Sequence, residues 1–82
     1  MKRKVYVGMD VHKDSITLAV LYQGKMEKET VSTIPNEEAP IKKFFNRLKK
    51  EARSIDSCYE AGVTGFPLYR FLTGLGIECK VV

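Results

Sequence analysis

Apolar and polar residues alternate along Val5-Tyr6-Val7-Gly8-Met9-Asp10-Val11. In an extended chain this puts Val5, Val7, Met9 and Val11 on one face and Tyr6, Gly8 and Asp10 on the other. The pattern predicts a first strand with a carboxylate near its end. The polar His12-Lys13-Asp14 run interrupts it, and residues 15–22 resume as a second β-like segment. Gln23-Gly24 supplies a turn into a third, over 25–34, so the first three strands should form an antiparallel meander.

Beyond Pro35-Asn36-Glu37-Glu38-Ala39-Pro40 the period changes. Ile41, Phe44, Phe45, Leu48 and Ala52 recur at helical spacing, while Lys42, Lys43, Arg47, Lys49 and Lys50 fill the rest of the circumference. A helix over about 40–53 follows, with acidic residues at its positive end and Pro40 in its first turn. Residues 54–60 read as a fourth strand. Thr64 is a suitable cap for a second helix through Leu75, Gly76 a suitable stop, and 77–82 alternate as a fifth strand. No internal repeat, low-complexity tract or linker divides the chain.

This order implies an α/β fold with a mixed sheet. A meander leaves its first and third strands parallel, and the following helix can cross the sheet to lay the fourth strand beside the first. The expected spatial order is 3-2-1-4-5. Right-handed crossovers put both helices on one face. The other face is left bare, and a contiguous apolar patch there would favour self-association, with a symmetric dimer expected.

Size limits the 82 residues to one domain with a modest core. A hydrophobic share of 44% separates the chain from disordered sequences. The net charge of +4 suits a polyanionic partner, although so small a surplus is common in proteins that bind nothing acidic. Cys58 and Cys79 have neither a zinc-like spacing nor the number for a disulfide framework, and read as small core residues in a reducing compartment. No run approaches the roughly 18 apolar residues of a membrane span, and Met1-Lys2-Arg3-Lys4 leads straight into a strand rather than a signal-peptide core. A cytoplasmic protein without membrane contact is expected.

The topology brings Asp10 beside Glu60, because the first and fourth strands become neighbours about 4.8 Å apart. Two carboxylates at about 5 Å repel by roughly 3 kcal/mol at an effective dielectric of 20, which a proton or a cation would relieve. Magnesium, or manganese in its place, suits such oxygen ligands, and a pair of such ions can stabilise both oxygens of a phosphoryl transfer. That chemistry needs more than two carboxylates. The same two residues also fit a backbone-capping aspartate and a solvated glutamate. Lys13 fits either a phosphate contact or a solvated lysine. His12 sits in the adjacent loop with no identifiable partner, and no role is assigned to it. The basic side of the first helix fits either a surface that follows a DNA backbone or a solubilising face.

Two longer segments narrow the choice: Tyr6-Val7-Gly8-Met9-Asp10-Val11-His12-Lys13-Asp14-Ser15, and Tyr59-Glu60-Ala61-Gly62-Val63-Thr64-Gly65-Phe66-Pro67-Leu68-Tyr69-Arg70 with Leu75-Gly76-Ile77-Glu78-Cys79. Together they resemble the DEDD transposase family of the Piv and MooV type. The resemblance covers essentially the whole chain and implies an amino-terminal, RuvC-like domain of ribonuclease H fold. It assigns Asp10 and Glu60 as catalytic, metal-binding carboxylates of an enzyme that cleaves and transfers DNA strands. It also implies DNA as partner and, in some members, a bridging guide RNA. The family's two later aspartates and its carboxy-terminal serine are not among these residues, so residues 1–82 read as a truncated amino-terminal part that is inactive alone. Two rival readings stand beside this one. One is a structural or interaction remnant without chemistry. The other is an actin-like or sugar-kinase-like ATP-binding half domain, whose phosphate hairpin usually needs a glycine that Val11-His12-Lys13-Asp14 lacks.

Overall fold

In a computed structural model the described residues are 3–24, 29–60 and 68–81. They form β1 (Arg3–Val11), β2 (Ser15–Tyr22), β3 (Glu29–Pro35), α1 (Glu38–Glu51), β4 (Ala52–Tyr59), α2 (Leu68–Gly74) and β5 (Glu78–Val81). The expected start of the third strand at Lys25 and the Thr64 cap lie outside the described residues. No described helix is long and apolar enough to cross a membrane.

The five strands make one sheet in the order β3-β2-β1-β4-β5, the order expected from the sequence. β1 runs antiparallel to β2, with Val5 opposite Tyr22 and Val11 opposite Ile16. On its other side β1 runs parallel to β4, with Val5 opposite Ile55 and Met9 opposite Tyr59. β5 extends the parallel part, placing Asp56 opposite Glu78.

The period of two puts Val5, Val7 and Met9 of β1 and Ile16, Leu18 and Val20 of β2 on one face, where all are buried. Ile41, Phe45 and Leu48 of α1 and Leu68 and Leu72 of α2 join them in a single core. Buried Ser57 is accommodated because its hydroxyl donates to the Glu78 carbonyl at 2.8 Å. α2 ends at Gly74, and the turn after it is made by Gly76, whose φ of +81° suits glycine. The Gly76 and Ile77 amides donate back to the Thr73 and Leu72 carbonyls, each at 3.0 Å, which caps the last turn.

α1 begins at Glu38 and ends at Glu51, each two residues earlier than the helical pattern suggests. Ala52 turns extended, at φ −104° and ψ 142°, while its amide still donates to the Leu48 carbonyl, and β4 starts on that residue. Helix and strand thus join without a loop. The cysteine expectation is corrected as well: Cys79 is half-buried but Cys58 is exposed.

The opposite sheet face carries no described helix. Its exposed Tyr6, Leu21 and Val31 are interspersed with polar groups. Lys4 pairs with Asp56 at 3.0 Å, and Thr17 with Thr33 at 3.2 Å.

Candidate carboxylate site

Asp10 is the second-last residue of β1, and Glu60 directly follows β4. Because Met9 is paired with Tyr59 in a parallel register, the next step along both chains brings Asp10 and Glu60 alongside each other. Both line one shallow depression of about 540 Å³, together with Gly8, Met9, Thr17, Ala19, Cys58 and Tyr59. A Cβ on Gly8 would meet nothing within 4 Å, so no close packing requires a glycine here.

Both carboxylates are exposed, the Asp10 side chain by 73%. At the spacing of neighbouring strands and in a water-like dielectric their repulsion falls to about 1 kcal/mol, well below the roughly 3 kcal/mol of a half-screened pair. The fold can therefore hold the two charges together without an ion. Their oxygens are hard donors open to a cation, which fits magnesium or manganese. Among the described residues no three His, Cys, Asp or Glu side chains form a metal-holding group.

His12, to which the sequence assigned no partner, has one. Its Nε2–H donates to Asp10 Oδ2 at 3.0 Å; a carboxylate can only accept, which fixes the ring nitrogen as donor. The turn that returns His12 toward β1 is closed by its own amide donating to the Ser15 carbonyl at 2.8 Å. Asn36, between β3 and α1, holds that turn from outside. Its Nδ2 donates to the His12 carbonyl at 2.8 Å and reaches the Lys13 carbonyl at 3.5 Å, and its amide donates to the Asp14 carbonyl at 3.1 Å. Lys13 is exposed in the same turn. Linear patterning gives no signal for these contacts, since Asn36 lies 24 residues from His12 and looks like ordinary turn punctuation.

Comparison with known proteins follows the same stretch of chain. It is 54% identical over 79 residues to the transposase for insertion sequence element IS1533 of Leptospira borgpetersenii, a match covering 96% of this chain and 23% of that protein. It is 35% identical over 81 residues to a Sinorhizobium fredii protein named as transposase y4qE, covering 98% of this chain and 21% of that one. No family model matches the chain. Over nearly its whole length, then, the chain is similar to these two transposases, and it spans less than a quarter of either.

Proposed function

We propose that this chain supplies Asp10 and Glu60 to a divalent-metal site that cleaves and transfers DNA strands in transposition. The supporting observation is the parallel pairing of β1 with β4. It gathers two carboxylates 50 residues apart into one open depression, in a chain 54% identical to an insertion-sequence transposase. The finer reading is a DEDD transposase of the Piv and MooV type with a RuvC-like, ribonuclease H-like amino-terminal domain. That reading also has the protein act on DNA in the cytoplasm as a homo-oligomer, in some relatives of the type with a guide RNA.

In this scheme Asp10 and Glu60 hold magnesium, or manganese, through carboxylate oxygens. When bound, the metal would offset negative charge developing on phosphate oxygens. Lys13, exposed in the turn that follows Asp10, contributes a positive charge that can contact a backbone phosphate and set the strand's position, without reading sequence. Two carboxylates are fewer than a pair of hard cations needs, so the 82-residue chain alone should bind metal weakly and leave DNA intact.

Isothermal titration with Mn²⁺ tests the assignment. Weak binding is expected in the unaltered chain and should disappear in Asp10→Asn and Glu60→Gln. Metal-dependent nicking that survives Asp10→Asn would refute the carboxylate assignment.

A further inference from the structure

We propose that His12 is a positioning residue for the Asp10 carboxylate, anchored by Asn36, and that it engages one carboxylate oxygen so that the other faces the cation. This rests on the metal-site reading above and adds residues to which that reading gives no part. The geometry is a chain of three links. Asn36 Nδ2 donates to the His12 carbonyl at 2.8 Å, the His12 amide donates to the Ser15 carbonyl at 2.8 Å, and His12 Nε2–H donates to Asp10 Oδ2 at 3.0 Å.

Each link has a fixed sense. The Asn36 side chain faces two carbonyl oxygens, so only its NH₂ group can point toward them, whatever ambiguity an isolated amide would have. Its Oδ1 is buried and has no hydrogen-bond partner among the described residues. The immobilised turn then presents the imidazole to Asp10. An isolated hydrogen bond between side chains as exposed as these, 59% for His12 and 73% for Asp10, would orient little by itself. The backbone clamp supplies the missing order.

A carboxylate that ligates a metal needs its free rotation about the Cβ–Cγ bond removed, and a hydrogen bond to the second oxygen does this. Asp10 Oδ2 is the engaged oxygen, which leaves Oδ1 for the cation. Partners of this kind are worth about 10–100-fold in metal affinity; the exposure of the pair puts the expected effect near the lower figure. His12 is the chain's single histidine, so spectroscopic signals from imidazole report on it alone.

The test is Mn²⁺ binding followed by electron paramagnetic resonance, with pulsed detection of nitrogen coupling to the bound ion. It compares the unaltered chain with Asp10→Ala, His12→Ala, His12→Gln and Asn36→Ala, each checked for folding by circular dichroism. We expect His12→Ala to weaken Mn²⁺ by about tenfold. His12→Gln, whose amide nitrogen can stand in for Nε2, should recover most of that loss. Asn36→Ala should weaken binding in the same direction, and no directly bound nitrogen should appear. Unchanged binding in His12→Ala, or no recovery in His12→Gln, would overturn the positioning role. Strong nitrogen coupling would overturn it too, by making His12 a ligand. Each of these leaves Asp10 as a metal carboxylate if Asp10→Ala loses the ion. Binding indifferent to Asp10→Ala, or no binding by the unaltered chain, would instead bring down the metal-site reading together with this inference.

Discussion

Replacing Phe45 with alanine asks directly which face of the sheet is the core. Phe45 is fully buried under α1, with its ring edge-on to Phe44 at a centroid distance of 5.4 Å. Truncation removes that apolar contact and leaves a cavity that the surrounding Val, Ile and Leu side chains cannot fully close, at a cost of about 3–5 kcal/mol. For 82 residues the whole folding free energy is about 4–12 kcal/mol, so the variant should lose at least about a quarter of its stability. The matching control is Val31→Thr, at a 61% exposed position on the opposite face, which should move stability by no more than about 0.5 kcal/mol. Urea denaturation followed by circular dichroism, repeated across a range of protein concentrations, measures both. A loss at Val31 as large as that at Phe45 would refute the one-sided core. If that loss also grew with protein concentration, the open face would be an interface between copies.

The remaining expectations concern titrating groups. Lys4 titrates above its ordinary 10.5 because of its hydrogen bond to Asp56 and then the charge of that partner. Its contribution is thus fully present below pH 10.5 and fades as pH rises through the higher folded value. Tyr22 is raised above 10.0 by burial first and then by Glu51, so the folded state keeps that proton longer than the unfolded state does. Stability from this group also declines as pH climbs past 10. Melting temperatures should therefore fall in strong alkali and fall less in Lys4→Met; equal slopes would contradict the Lys4–Asp56 pairing. The two thiols should differ in reactivity. Cys58 is exposed, whereas burial pushes the Cys79 thiol up from 9.0, so a disulfide reagent should label the chain in a fast and a slow phase. Cys58→Ser should remove the fast one, and a single phase would contradict this placement.

Much of the fold could be read before any coordinate. The alternation over Ser15–Tyr22 gives the bounds of β2, and a meander followed by right-handed crossovers permits few strand orders besides the observed one. The end of α1 was not legible, because Ala52 is apolar in both the helical and the strand pattern and is buried in either. Cys58 was misplaced for a related reason. In Ile55-Asp56-Ser57-Cys58-Tyr59 the buried positions are Ile55 and Ser57, and a buried serine hides the phase that would put Cys58 outside. Asp10 and Glu60 could be brought together from sequence because strand pairing alone determines their neighbourhood. The Asn36–His12–Asp10 links could not, since they depend on how two turns meet in space.

The bounds of α1 and β4 also explain why the carboxylates meet. Arg3 is paired with Ala52, but the next residue, Lys4, is paired with Ser54, so Arg53 is an extra residue in a bulge-like register shift. Without it, continuing the register from Ala52 would set Asp10 opposite Tyr59 and leave Glu60 one step beyond. The same extra residue changes the phase of β4. It allows Ala52 and Ile55, three apart, to be buried together, and it leaves Asp56 and Cys58 on the open face. A slip of one residue reverses every side chain of a strand. Had β1 slipped, Asp10 would enter the layer of Val5, Val7 and Met9 beneath the helices, where an ionised carboxylate costs several kcal/mol unless it is paired. Helix-side packing therefore fixes the register, and the register keeps Asp10 in water, within reach of His12 and beside Glu60.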